Sequence, residues 1–433
     1  MKAIEIAAIA TVGLAASPAG AFYSVEREAW SLDVNGTAKL FPLLTLSPSS
    51  FVTESDESFV AFGSLRLNGE LLLDSASLEI AYHVFPVAGD DVGVTDSGAG
   101  AAGPQGGLVA PVVSPLRLTD LDRELSTRDD FVLLQNLDRL GVTFVGPGDS
   151  EVRIGRQAIS HGSARVFTAT DIFSPFSPAT LDSEYKQGLD AVRLTVPLDE
   201  NQEVEIFAIA VDLDLDDSFG RGVYLARYRA SLPEVLDASV YAGTSYGSPT
   251  LGVDVSGDLG GATVYAESGV RIWSQSAALD LLDIGDFGTL PIEDYGAPVR
   301  ATLGGQYFFP FDLDVAVELH WNGAGATRRE DYVETFRRPE WATGEIFLLG
   351  RAYIGTAWSY SSSALTRLSL STITSLVDAS SLLTPAFYWD MTEFSALSVG
   401  AILGVGRRVN ASLVSDEFGL YPYTFFADAR VYF

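Results

Sequence analysis

The stretch from Tyr423 to Phe433 constrains the fold more than any other, because its side chains alternate in character up to a terminal phenylalanine. A period of two is that of a β-strand with one apolar and one polar face. Such a strand at the end of a chain is typical of a transmembrane β-barrel, although an edge strand of a soluble sheet has the same pattern. Counted back in twos, the apolar face holds Phe433, Val431, Ala429, Ala427 and Phe425.

The overall composition favours the barrel. Hydrophobic residues make up 47% of the 433 residues, yet we find no apolar run of 18 or more after the first 21 residues that would indicate a transmembrane helix. A chain this apolar either builds a very large core or hides its apolar side chains by alternation in a barrel wall. The 41 glycines, 17 tyrosines and 25 phenylalanines suit barrel turns and interfacial aromatic belts.

Residues 1–21 are predicted to be a secretory signal peptide. Lys2 provides a short basic start, an apolar run follows, and Ala19 to Ala21 form a small-residue cleavage pattern. Residues 22–433 are then a single barrel domain. The absence of cysteine excludes disulfides, thiolate metal sites and a lipoprotein anchor, and it suits an exported chain.

Alternation and turn residues divide the remaining chain into about 18 strands (16–18) joined by short turns and longer breaks in alternation. This predicts an all-β, antiparallel, up-and-down transmembrane barrel with N- and C-termini in the periplasm. The long extracellular loops are predicted at 86–130, 160–187, 273–298 and 323–343. The predicted strands are 30–41, 59–72, 77–85, 137–145, 151–159, 189–198, 202–212, 221–231, 237–244, 250–256, 262–272, 299–309, 312–322, 344–359, 364–373, 384–389, 394–404 and 423–433.

No constellation of residues indicates an enzyme, a cofactor or a metal site. The three histidines, His83, His161 and His320, are far apart in sequence, and we interpret His83 and His320, which fall on predicted strands, as polar residues of the lumen wall. The GxGxxG match at 98–103 lies in a flexible loop and not between a strand and a helix, so it carries no phosphate-binding prediction. Asp212 to Asp217 resembles the start of a calcium loop but lacks its glycine and glutamate, which leaves weak surface binding of divalent ions as the alternative to a solvated acidic loop.

The charged residues give the strongest indication of which solutes a barrel of this sequence would transport. The formal net charge of −30 argues against nucleic-acid binding. An arginine facing lipid at mid-membrane costs about 2–4 kcal/mol, so arginines on strands should face the lumen and favour anions. The alternative is that they form salt bridges with wall acids and give no selectivity. The candidate pore-lining residues are Arg153, Arg193, Arg227, Arg229, Arg351, Arg367, Arg430, Glu203, Glu205, Asp314 and Glu318.

A stretch of about 45 residues carries a family resemblance. Val152–Gly162 contains GRQ, Thr170–Pro175 reads TDIFSP, and Glu184–Leu194 contains GLDAVR. This arrangement resembles porin-like outer-membrane barrels of the alginate-export type and their uncharacterised relatives. The resemblance implies an 18-stranded barrel, a monomeric pore and an inward-folded loop with charged residues. Many relatives have tryptophan where this chain has His161, so substrate contacts do not carry over.

Residues 160–187 combine aromatic residues, prolines and acids, which lets a loop pack as a unit. We expect this loop to fold partly into the lumen and narrow it; an external loop packed on the rim is the alternative. The candidate constriction residues are Asp171, Phe173, Asp182 and Glu184.

The sequence therefore predicts a porin or export channel in the bacterial outer membrane for hydrophilic, including anionic, solutes. The expected partners are outer-membrane lipid, the barrel assembly machinery, and a small hydrophilic solute or an anionic polysaccharide, with the protein a monomer or a homotrimer. The alternatives are a structural or adhesive barrel that uses its acidic loops and, less in keeping with the scattered histidines, a barrel enzyme.

Overall fold

The computed structural model describes residues 22–46, 57–90, 116–118, 121–128, 130–173, 175–177, 180–209, 222–232, 235–273, 296–408 and 415–433. Within these residues the chain forms 20 β-strands and two short α-helices. The strands are β1 (Tyr23–Arg27), β2 (Trp30–Leu46), β3 (Glu57–Leu73), β4 (Ala76–Gly89), β5 (Asp122–Arg128), β6 (Phe131–Val145), β7 (Glu151–Gln157), β8 (Leu189–Asp199), β9 (Gln202–Ile209), β10 (Val223–Leu232), β11 (Leu236–Ser245), β12 (Ser248–Leu259), β13 (Ala262–Arg271), β14 (Val299–Phe309), β15 (Leu313–Asn322), β16 (Ala352–Ser361), β17 (Thr366–Ser375), β18 (Ser381–Thr392), β19 (Ser395–Val405) and β20 (Tyr423–Tyr432). The helices are α1 (Tyr332–Phe336) and α2 (Pro339–Ala342).

The strands close into one antiparallel ring. β20 pairs with β19 on one side and with β2 on the other, where Ala429 lies opposite Leu40. β1 pairs only with β2 and β5 only with β6, so 18 of the strands described here form the closed ring. The predicted 18-strand up-and-down barrel is confirmed.

Side chains alternate between the two faces of the wall as the sequence predicts. On β15, Val317, Leu319 and Trp321 are about half exposed on the outer face, while Glu318 and Asn322 are buried on the inner face. An apolar outer face is what a barrel embedded in lipid requires. Among the described residues, no helix is both long enough and apolar enough to span a membrane.

β1 extends the seam between β20 and β2. The backbone of Gly36 exchanges two hydrogen bonds with Phe433, and the Phe433 ring occupies the space that a side chain at position 36 would need. β1 then pairs with β2 from Trp30 to Val34, below the end of β20. The alternation in the sequence predicts no strand before Trp30.

β5 corrects the prediction that 86–130 is wholly a flexible loop. β6 pairs with β7 over Leu140–Val145 but with β5 over Phe131–Asn136, and the Leu116 carbonyl accepts the amide of Asp190 at the start of β8. β7 leaves the wall early because the chain turns inward after Gln157, and residues 116–118 and 121–128 occupy the vacated position.

Other predicted boundaries differ too: β2 runs on to Leu46 and β6 begins at Phe131, beyond the predicted 30–41 and 137–145. The predicted strand 344–359 begins only at Ala352, because residues 344–351 follow α2 and pack against the loops. The predicted longer break at 245–249 is a two-residue turn in which Tyr246 and Gly247 have positive φ, as tight β-hairpins require. The predicted signal peptide at 1–21, the GxGxxG match at 98–103, the acidic run at 212–217 and most of loop 273–298 lie outside the described residues.

Candidate functional site

We call residues 158–188 the inner segment, and the described residues of this segment cross the interior of the barrel. The segment leaves the wall after β7 and returns to it at β8. Near its start, Ser163 donates to Asp254 on β12, and near its end Asp182 binds Lys39 on β2. β12 and β2 lie on opposite sides of the ring, nine strands apart in either direction. The described part of the segment therefore spans the diameter of the lumen.

The near end of the inner segment, residues 162–170, is bound first by Glu318 of β15. The Glu318 carboxylate is fully buried and accepts three successive backbone N–H groups: Arg165 at 2.7 Å, Val166 at 3.1 Å and Phe167 at 2.8 Å. The hydroxyl of Tyr265 donates to the same carboxylate at 2.7 Å. Buried N–H groups require acceptors, and here the barrel wall supplies one for all three.

Glu267 of β13 binds the near end at two separated points. Its carboxylate accepts the backbone N–H of Ala164 and, at 3.1 Å, that of Thr170, whose hydroxyl also donates at 3.0 Å. Gly162 lies directly against this carboxylate with φ +99°, where any side chain would collide with it. Glu267 thus ties the two ends of the 164–170 turn together.

The far end of the inner segment, residues 180–188, is bound by side-chain ion pairs at the barrel seam. Lys39 of β2 contacts Asp182 at 2.8 Å and Glu184 at 2.7 Å. Arg430 of β20 contacts Glu184 at 3.0 Å. The Lys39 side chain is 1% exposed, whereas both acids are 25% exposed.

A buried charge cluster fixes the last residues of the segment. Asp138 of β6 binds Arg66 at 2.7 Å, Arg139 at 2.6 Å and Arg117 at 3.4 Å, and accepts the Gly188 amide at 3.0 Å. Several donors on one carboxylate offset the cost of burying the charge. Arg117 comes from the region 86–130, which the sequence predicts to be a long loop.

Two apolar cores inside the barrel flank the segment. In one, Phe173 packs with Phe207 and Leu225 of β9 and β10; in the other, Phe167 packs with Tyr353 and Ile402 of β16 and β19. The inward faces of these strands are therefore apolar near the long-loop end. The unbroken apolar run from Ile206 to Val211 was the sequence signal for this departure from alternation.

The candidate constriction residues separate into two groups. Asp171 and Phe173 are 3% and 2% exposed: the Asp171 carboxylate binds Lys186 and the Phe173 amide, so both residues lie within the packed segment. Asp182 and Glu184 remain partly exposed. Burial lowers the pKa of His161, which lies between Phe173 and Phe207 with both ring nitrogens unpartnered among the described residues.

Most of the predicted pore-lining arginines lie on the inner face but pair with acids. On β10, Arg227 contacts Glu205 at 3.2 Å and Arg229 contacts Glu203 at 2.6 Å, each directly across from its partner on β9. The two arginines differ in exposure: the Arg227 side chain is 12% exposed and the Arg229 side chain is 53% exposed. Inward cations form a basic arc, which we define as Lys39, Arg66, Arg139, Arg153, Arg193, Arg227, Arg229 and Arg430.

The opposite wall carries an acidic arc, which we define as Asp254, Glu267, Asp314 and Glu318 on β12, β13 and β15. Asp314 contacts Arg165 of the inner segment at 2.8 Å. Towards the long-loop end of this wall, the inward Arg300 is bound by Glu345 at 3.3 Å.

Two candidates lie apart from both arcs. Arg351 precedes β16, and its guanidinium lies 5.7 Å above the ring of Trp321 on the outer face. It is not part of the inward set, because residue 351 comes before the strand whose alternation would point it inward. Arg367 lies near the turn end of β17, with its guanidinium 4.4 Å above the Tyr388 ring.

The two remaining histidines are satisfied wall residues. His83 of β4 shares a hydrogen bond of 2.6 Å with Ser64, and His320 of β15 shares one of 2.9 Å with Thr302. The His320 ring stacks on Phe167. The three histidines occupy separate places, and within the described residues no group of three acids or histidines is arranged to hold a metal ion.

Solved structures share this architecture. The fold is that of the outer-membrane porins. OccD3 (OpdP) of Pseudomonas aeruginosa aligns over 97% of this chain and 96% of its own, with 8% identity and a TM-score of 0.51. OccAB1 of Acinetobacter baumannii aligns over 92% and 96%, with 10% identity and a TM-score of 0.52. OccAB4 of the same organism aligns over 93% and 98%, with 9% identity and a TM-score of 0.51.

Sequence comparison adds no relative: no family model and no curated protein matches the chain. At 8–10% identity the structural similarity shows the porin fold alone. The residues of the inner segment and the two arcs must therefore be interpreted from their own geometry.

Proposed function

We propose that this chain forms a channel in the bacterial outer membrane through which hydrophilic solutes diffuse. The observation that carries the proposal is the inner segment, which crosses a porin-type barrel between a basic arc and an acidic arc. The segment narrows the lumen and leaves charged side chains along the remaining passage. In this proposal the short turns and both chain ends face the periplasm, and residues 1–21 are the export signal.

The expected surroundings follow from the outer surface. The apolar outer face contacts membrane lipid, and the barrel assembly machinery inserts the chain. The protein acts as a monomer or a homotrimer. Nothing in the described geometry favours an enzyme, since the histidines are separated and each lies among wall or core residues.

Anionic solutes suit the exposed part of the basic arc. Arg153, Arg193 and Arg229 keep 29%, 31% and 53% of their side chains exposed, and guanidinium groups bind carboxylates and phosphates in two-point contacts. Arg193 and Arg227 share the single carboxylate of Glu205, which leaves excess positive charge there. Small anions or an anionic polysaccharide, as in the alginate-export type that the sequence resembles, are the proposed solutes.

Planar-bilayer recording tests the proposal. We expect discrete conductance steps, a larger conductance when residues 165–183 are deleted, and a reversal potential in a salt gradient that shows anion preference. Changing Arg153, Arg193 and Arg229 together to serine should remove most of that preference. Arg367→Ser is the matched control and should change it little, because Arg367 lies apart from both arcs, near the turn end of β17. A folded protein without conductance would instead favour the structural or adhesive barrel.

A further inference from the structure

Two wall carboxylates of the lumen are buried without a cationic partner in the part of the chain that the structure describes. Glu203, Glu205 and Asp314 each bind an arginine. Glu267 and Glu318 are 2% and 0% exposed, and within the described residues neither pairs with a lysine or arginine. Their partners are neutral N–H and O–H groups. A buried carboxylate is stable without a cation only when such donors saturate it.

The donors to Glu318 form an anion-binding concavity. Successive backbone N–H groups that converge on one point create a nest that favours negative charge. Here the amides of residues 165–167 converge, and the occupant is the protein's own Glu318 carboxylate, with both oxygens engaged. The turn therefore binds this wall carboxylate as an anion-binding site binds its ligand.

Glu267 binds the residues on both sides of this nest. Its two oxygens bind the amides of Ala164 and Thr170, which bracket the nest on either side. Hydroxyls of the same wall bind the carbonyls: Thr302 donates to Phe167 at 2.9 Å, and Tyr241 donates to Thr170 at 3.0 Å.

We propose that Glu318 and Glu267 are positioning residues whose carboxylates hold residues 164–170 in the lumen and so set the size of the opening. The effect on the opening rests on the proposed channel function, whereas the position of the segment can be measured without it. Glutamine cannot replace either carboxylate fully, because its amide nitrogen is a donor and would face donors. Alanine would leave three buried N–H groups without an acceptor, which favours release of the turn.

Cysteine labelling tests the position of the segment. The chain contains no cysteine, so Thr168→Cys provides a single reporter within the turn. In folded barrels in detergent, Glu318→Ala should raise the rate at which a charged thiol reagent modifies this cysteine about tenfold, given about 1–3 kcal/mol for an unsatisfied buried group. Sodium formate should lower the rate again by occupying the nest, and sodium chloride at equal ionic strength should do so less.

The control is Asp314→Asn, which removes a carboxylate of the same strand that binds only the Arg165 side chain within the segment; it should change the rate less than twofold. Glu318→Gln and Glu267→Gln should give intermediate rates and serve if the alanine variant does not fold. An unchanged rate in every glutamate variant, or a raised rate that formate does not lower, would overturn the proposal. Wild-type barrels that fold but do not conduct would refute the channel function and leave the labelling result to stand by itself.

Discussion

At the near end of the inner segment, backbone N–H groups donate hydrogen bonds to wall carboxylates. At the far end, carboxylates of the segment form ion pairs with wall cations. The near-end acids are at most 2% exposed, and the far-end acids are 25% exposed. The near attachment is therefore shielded from salt and independent of most side chains of the segment. The far attachment depends on Asp182 and Glu184 and is open to screening.

The largest effect should come from removing a backbone donor at the near end. Arg165→Pro deletes the N–H that lies 2.7 Å from Glu318, and a hydrogen bond to a charged group contributes about 1.5–3 kcal/mol. In the Thr168→Cys background, we expect labelling of the introduced thiol to rise about tenfold. Arg165→Met, which keeps the N–H and loses only the ion pair with Asp314, should change it little. Equal rates in the two variants would show that side chains hold the near end after all.

A smaller effect should come from salt, which we expect to change thiol labelling at the far end of the segment but hardly at the near end. Raising KCl from about 0.1 to 1 M shortens the Debye length from about 10 to 3 Å, so labelling at Ser183→Cys should increase about threefold and labelling at Thr168→Cys should hardly change. Lys39→Met should raise the low-salt rate at position 183 and remove most of its salt dependence. Parallel salt responses at both positions would contradict the distinction.

The smallest effect concerns a third carboxylate of the near-end kind, Glu417, which precedes β20. Glu417 accepts the amides of Leu349 at 2.7 Å and Gly350 at 3.3 Å and the hydroxyl of Tyr353 at 2.6 Å. Burial raises the pKa of Glu417 from 4.5 to about 7, so the folded state holds a proton that the unfolded chain releases. Its stabilising contribution is complete below pH 4.5 and is lost as the pH rises through 7.

The unfolding temperature in detergent should therefore fall between about pH 4.5 and 8, by about 3 °C for this group. Glu417→Gln carries no titrating proton and should show a correspondingly flatter profile over the same range. Identical slopes in the two proteins would mean that Glu417 does not titrate in this window.

The sequence predicted the wall because alternation is a direct record of which face each residue occupies. All 18 ring strands were located, including the closing one. β5 was missed because it lies in a long region of glycine, proline and polar residues, and only pairing with β6 makes it a strand.

The far attachment was partly visible in the sequence, and the near one was not. Asp182 and Glu184 stood out as acids in a compact loop. The near end is held through main-chain amides, which every residue except proline possesses. No residue type in the segment therefore indicates this attachment. Glu318 was assigned to the pore lining because its face was evident, but its burial under the segment follows only from the fold.

Glu184 touches Lys39 on one side of the seam and Arg430 on the other. The segment therefore bridges the two strands whose pairing completes the ring, and docking and ring closure must favour each other by linkage. If the seam opens, Glu184 loses its contact with one of the two strands. If the segment leaves the lumen, the seam loses the ion pairs that bridge β2 and β20. The position of the segment and the closure of the seam are thus two readouts of one equilibrium in this molecule.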